Sequence, residues 1–206
     1  MLFWIIYVLA WIPVRILFPL KVVGKKNLPK SGGVVLCCNH FSNFDVILLQ
    51  AGISRRMYYL VKKELMKNKF FAWFLRKMGA FSVDRGAGDL AATKFALGKL
   101  KQGKPMCLFP EGTRNKESEE LQALKSGSVL FSAKTNSPLV PMMILKRPRV
   151  FSRNVLVIGE PVEFGFAVAN KPSKEELEQA TQTLAEKMTA LQKENLPRFY
   201  KQKANN

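Results

Sequence analysis

The chain has 206 residues, 48% of them hydrophobic: room for one domain with a real core, and too apolar for a disordered polypeptide. Its 33 Lys and Arg against 15 Asp and Glu leave a formal net charge of +18. That excess calls for an anionic partner or location: nucleic acid, an anionic membrane surface or acidic substrates.

The charge is uneven, with 19 basic and 5 acidic side chains in residues 1–115 and 14 and 10 in the remainder. Residues 1–20 are apolar and rich in aromatics, without the basic flank and cleavage site of a secretory signal. A membrane-spanning helix needs about 20 apolar residues. Pro13, Arg15 and Pro19 interrupt this run, whereas Trp4, Tyr7 and Trp11 suit a headgroup boundary and Lys21, Lys25 and Lys26 follow at once. The expectation is a membrane-associated apolar helix over residues 1–20, lying in one leaflet, with the folded domain over 21–206. A core helix or a full span would fit the same run.

Val34–Cys38 follows Gly32-Gly33 as an unbroken apolar run and predicts a buried strand. A loop containing His40 comes next, then a helix over Phe44–Gln50 ending near Gly52. Met57–Val61 predicts a strand. Lys63–Met78 predicts a helix with Leu65, Phe70, Phe71, Phe74 and Leu75 on one face. Ala80–Val83 is a short strand, Leu90–Leu100 a helix closing near Gly103, and Met106–Phe109 a strand. Leu121–Thr135 predicts a helix, and Leu139–Leu145 and Val155–Ile158 predict strands. Ser173 opens a last helix, with Glu176 completing a capping box and Leu177, Leu184, Met188 and Leu191 on one face. Helices alternating with short buried strands predict a single α/β layered domain, a central mixed β-sheet flanked by helices. The strand order is not readable.

The three cysteines, Cys37, Cys38 and Cys107, are odd in number and sit in apolar runs, which predicts reduced core residues of a cytosolic compartment. With no CxxC pair and one histidine, no metal site is expected.

That histidine, His40, precedes Asp45 by five positions. On one helix the two would diverge by about 140°. They meet if His40 lies in the loop and Asp45 in the first helical turn, with Ser42 or Asn43 as N-cap. Asp45 would then hold one ring nitrogen and leave the other as a base. The competing view of Asp45 is a carboxylate placed only to suit the helix dipole. Phe109-Pro110-Glu111-Gly112-Thr113-Arg114 brings backbone amides, a hydroxyl and a guanidinium to the end of a strand, a set suited to phosphate. An ordinary turn with a solvated Arg114 fits as well. Gly79–Gly86 places Arg85 just after another strand. No GxSxG, Walker or GxGxxG pattern is present.

Together these segments resemble the glycerolipid acyltransferase family, and within it the 1-acyl-glycerol-3-phosphate (lysophosphatidic acid) acyltransferases. Asn39-His40 with Asp45, Gly79–Gly86, Phe109–Arg114 and Val140-Pro141 resemble the four family motifs in family order. The resemblance runs from about Val22 to Glu163. After Arg114, Asn115-Lys116-Glu117 departs from the family's usual continuation.

The resemblance implies catalysis by His40 and Asp45. It also implies acceptor binding by Glu111, Gly112, Thr113 and Arg114, with Arg85 and Lys62 as further phosphate partners. The implied reaction moves an acyl group from acyl-CoA or acyl carrier protein to the sn-2 hydroxyl of a lysophospholipid acceptor, giving phosphatidic acid, with no cofactor. Backbone amides of the His40 turn are the expected oxyanion donors. The implied location is an anionic membrane surface, the cytoplasmic face of the inner membrane. Another lysophospholipid or lyso-ornithine-lipid acceptor is the alternative within the class. A non-catalytic basic membrane or nucleic-acid protein is the alternative outside it, and no nucleic-acid motif accompanies the charge.

Overall fold

The computed structural model describes residues 9, 12–83, 90–162, 164 and 172–200. Seven strands make one sheet: β1 (Leu20–Val23), β2 (Val34–Cys38), β3 (Tyr58–Lys62), β4 (Ala80–Val83), β5 (Pro105–Leu108), β6 (Leu139–Ile144) and β7 (Asn154–Ile158). Their order is β1-β7-β6-β2-β5-β3-β4. Every pair is parallel except β6 with β7. The sheet is therefore mixed, as expected. β2 is central and every residue in it is buried, because both faces of the sheet are covered. That is why Val34–Cys38 reads as a continuous apolar run and not as an alternating one.

Among the described residues, five helices cover the sheet: α1 (Asp45–Gly52), α2 (Lys69–Lys77), α3 (Leu90–Lys101), α4 (Gly127–Thr135) and α5 (Lys174–Phe199). Leu49 of α1 and Leu75 of α2 pack on one face, against Leu36, Met142 and Leu156. Leu100 of α3, Val129 of α4 and Leu184 and Met188 of α5 pack on the other, against Val35, Met106 and Met143. The three cysteines are free and buried among these side chains. Burial pushes the Cys37 thiol up to about 12, so these sulfurs behave as core atoms.

Four local expectations are corrected. The stretch 63–78 is not one helix: it breaks at Lys67–Asn68, where the Asn68 side chain accepts a hydrogen bond from Phe71 N and starts α2 afresh. The predicted helix over 121–135 begins only at Gly127, because Lys125 N donates to Pro110 O and ties the preceding backbone to another loop. The helix after His40 starts behind Phe44, with neither Ser42 nor Asn43 as its N-cap. Leu20–Val23 is a sheet strand, hidden in the sequence by the apolar segment it continues.

The topology defines one functional edge. β2 to β6 all end there, and β7 and β1, which run the other way, both begin there. In open α/β sheets this is where ligands bind. The exposed large hydrophobic side chains among the described residues also fall in segments at this edge, including Ile12, Ile16, Phe44, Phe70, Trp73 and Phe151. Residues 12–17 are helical and lead into β1. Among the described residues no helix is long and apolar enough to cross a membrane.

Candidate active site

His40 leaves the end of β2 and is held through its backbone as well as its ring. Its N–H donates to Glu111 Oε1 at 2.8 Å, and its carbonyl accepts from Asn115 N at 2.7 Å. The loop after β5 thus grips the main chain of His40 from both sides. The imidazole stacks on Phe109, with ring centroids 3.9 Å apart and planes 15° apart. Asn39, 2% exposed, fixes the residue before it by accepting from Ile144 N (2.8 Å) and donating to Ile144 O (3.0 Å).

Asp45 is the first residue of α1 and is fully buried. Its Oδ2 lies 2.8 Å from His40 Nδ1 and accepts from Phe41 N (2.6 Å) and Ser42 N (2.8 Å). Its Oδ1 accepts from the Ser42 hydroxyl at 3.1 Å. With the carboxylate ionised, the proton sits on Nδ1 and Nε2 is left as the acceptor nitrogen. The expected meeting of loop histidine and helix-start carboxylate is therefore observed. A carboxylate serving only the helix dipole would not turn back onto the histidine ring.

The same contacts narrow one expectation, that amides of this turn serve as oxyanion donors. The amides of His40, Phe41, Ser42, Phe44 and Asp45 all donate within this loop, to Glu111, Asp45, Ser42 Oγ or Ser42 O. They are thus occupied and unavailable as oxyanion donors.

The loop after β5 sorts its residues between support and rim. Gly112 adopts φ 74, and its amide donates to Phe109 O, closing a tight turn. It is the positive φ that asks for glycine here, since a Cβ would meet only the flexible end of the Lys125 side chain. Glu111 goes down into the protein, 5% exposed, with its Oε1 on the His40 amide and away from the cavity lining. Burial raises its carboxyl above the ordinary range, against the pull of hydrogen bonds from the His40 and Gln122 amides. Thr113 and Arg114 are exposed at the rim, where Arg114 Nη1 reaches Asn43 Oδ1 at 3.2 Å.

A cavity of about 920 Å³ opens at this edge, lined by His40, Thr113, Arg114 and Lys62 at its polar part. Phe71, Phe74 and Leu75 of α2, with Val46, Ile47 and Met78, give it an apolar wall. Phe70 and Trp73 point elsewhere and are exposed. Of the site residues expected from sequence, His40, Asp45, Lys62, Glu111, Gly112, Thr113 and Arg114 are brought to one edge. Arg85 lies outside the described residues. Sequence reasoning missed the supporting parts: Asn39, Phe109 and Asn115. A polar residue closing an unbroken apolar strand was the available signal for Asn39; for Phe109 and Asn115 the contacts are purely tertiary.

A lone histidine, paired to a buried carboxylate and stacked at the mouth of an apolar cavity with cations on its rim, is an arrangement that can offer a base to an amphiphile with an anionic head. The chain matches the acyltransferase family model over residues 19–145 and belongs to that family. Among its relatives is the 1-acyl-sn-glycerol-3-phosphate acyltransferase of Bacillus subtilis, 36% identical over 178 residues, 84% of this chain and 87% of that protein. The Helicobacter pylori enzyme of the same name is 30% identical over 128 residues, 61% of this chain, which spans about half (54%) of that protein. The 1-acyl-sn-glycerophosphate (LPA) acyltransferase of Thermotoga maritima superposes with a TM-score of 0.67 at 25% identity, covering 85% of this chain and 72% of that one.

Proposed function

We propose that this protein transfers an acyl group from an acyl thioester to the sn-2 hydroxyl of 1-acyl-glycerol-3-phosphate, giving phosphatidic acid for phospholipid synthesis. The observation that carries this assignment is the His40–Asp45 pair at the mouth of an apolar cavity rimmed by Arg114 and Lys62. The relatives that share most of its length support the choice of acceptor.

Asp45 accepts a hydrogen bond from His40 Nδ1–H, and Nε2 removes the proton of the acceptor hydroxyl. The resulting oxygen attacks the thioester carbonyl beside it. A C–O bond forms, the C–S bond breaks, and the proton held on Nε2 passes to the departing sulfur. The charge that develops on the imidazole faces Asp45, a buried anion with no other cation bonded to it among the described residues. No covalent enzyme intermediate and no cofactor are needed. Arg114 and Lys62, with Arg85, would bind the acceptor phosphate, and the α2 wall would take an acyl chain. The donor is acyl-CoA or acyl carrier protein.

Residues 1–20 are proposed as the membrane-associated segment and 21–206 as the catalytic domain, held on the anionic cytoplasmic face of the inner membrane. The test is acyl transfer to 1-acyl-glycerol-3-phosphate with each donor, beside His40→Ala. Phosphatidic acid from the wild type and a loss of about 10²- to 10⁴-fold in the variant is expected. Product from folded His40→Ala at the wild-type rate would remove the proposed base.

A further inference from the structure

The connection between β6 and β7, residues 145–153, leaves the sheet at the functional edge beside His40. Arg147 stands over the Phe41 ring at 5.5 Å, next to the catalytic loop. At the tip, Val150 is 47% and Phe151 73% exposed. Phe151 is also one of two described non-glycine residues at positive φ (53°), a backbone state that bulky residues rarely adopt.

This geometry is enforced from three sides. Phe151 N donates to Leu17 O, at the end of the helical residues 12–17. Asn154, 3% exposed, accepts from Arg149 N and donates to Arg149 O and Ser152 O. Tyr200 Oη donates to Arg153 O. The protein thus spends backbone strain and a buried asparagine on holding a phenylalanine out of its own core.

Lys146, Arg147, Arg149 and Arg153 flank the tip, and no acidic residue lies between 146 and 153. An apolar tip in a collar of cations complements an anionic bilayer: the tip matches the acyl region and the collar the headgroup phosphates. Beside it, Ile12 and Ile16 are exposed on the segment to which Phe151 is bonded. The cavity mouth lies at the same edge of the sheet, with Val14 from that segment in its lining.

We propose that the 146–153 turn is a second membrane-inserting element, separate from residues 1–20, with Val150 and Phe151 entering an anionic bilayer. It rests on the reading that this edge works at a lipid surface. Two attachment points set the tilt of the sheet, and with it the height of the cavity mouth above the lipid.

The test uses the full chain carrying Phe151→Cys labelled with an environment-sensitive fluorophore. Cys37, Cys38 and Cys107 are at most 1% exposed, so the label goes to the tip. Vesicles of phosphatidylcholine are compared with equimolar phosphatidylcholine and phosphatidylglycerol. Blue-shifted emission, quenched by a quencher carried on the acyl chain, is expected on the anionic vesicles. Phe151→Asp should partition about tenfold or more weakly, and Phe151→Leu like the wild type. Lys146→Ala with Arg149→Ala should lose preference for the anionic lipid by about fivefold per cation.

A label that stays water-exposed on vesicle-bound protein overturns the insertion, as does unchanged partition of Phe151→Asp. Quenching of the tip only when a soluble protein such as acyl carrier protein is added would reassign the turn to protein docking and equally overturn it. Turnover of Phe151→Asp on short-chain monomeric substrates separates the two readings. Wild-type turnover there with weakened vesicle binding supports both; its absence in the wild-type protein itself condemns the proposed reaction and not the turn.

Discussion

Asp45 has two tasks that a single substitution can separate. In Asp45→Asn the amide oxygen can take the Oδ2 position and keep accepting from His40 Nδ1, Phe41 N and Ser42 N, while the new NH₂ faces the Ser42 hydroxyl. Tautomer and fold survive; the charge opposite the forming imidazolium does not. The expected outcome is a fall in kcat of about 10²-fold or more with little change in Tm. A parallel loss of both would make Asp45 a structural carboxylate. Glu111 is separable by pH. Burial raises its folded carboxyl above the unfolded value, so its contribution is present below the ordinary carboxylate range and is lost as pH rises through the raised value. Melting temperatures measured from about pH 4 upward should show the wild type losing ground to Glu111→Gln across that window. Parallel curves would mean that the carboxyl is not held up by burial. The pairing of His40 with Asp45 was legible in the sequence because it is local. The inward turn of Glu111 was not: it depends on a backbone amide 71 positions away.

At the level of elements, what could be read followed burial. Strands covered on both faces, such as β2 and β6, announce themselves as continuous apolar runs, and α5 announces its start through Ser173 and Glu176, whose reciprocal hydrogen bonds form the capping box. Errors arose where a tertiary contact outbid local propensity. The helix expected from Leu121 gives way because Leu121 and Leu124 reach the core without helical geometry while Lys125 N is bonded to Pro110 O. The apolar face expected on α2 exists, but only Ala72 of that helix is buried; its aromatics wall a cavity or meet solvent. A stripe that reads as core in one dimension can equally line an open groove, because the sequence records hydrophobicity and not what fills the space opposite.

For the molecule as a whole, the distribution of side chains makes one edge different from the rest. Exposed hydrophobics, the cavity and the histidine share it, while the other edge carries backbone contacts such as Arg55 to Pro29 O and Gly103 O. Such an apolar edge is what a protein working on bilayer-resident substrates needs. A truncation that tests the N-terminal anchor must respect the fold: Phe18 is 5% exposed against Phe44, and Leu20 already belongs to β1. Removing residues 1–11 should leave Tm nearly unchanged and weaken sedimentation with anionic vesicles. Undiminished sedimentation would place all of the attachment elsewhere on the edge.

The pairing of β1 carries a consequence for synthesis. Among the described residues, 20–23 find their one strand partner in 154–157, and Asn27 reaches across to Ile158 O. During translation β1 therefore waits, without that partner, until residues 24–153 have followed it. Contacts of such long sequence separation form late and slowly. An apolar leader that has found lipid in the meantime would keep that waiting strand beside the bilayer, so that the sheet is completed in place and the nascent chain is born at its work surface.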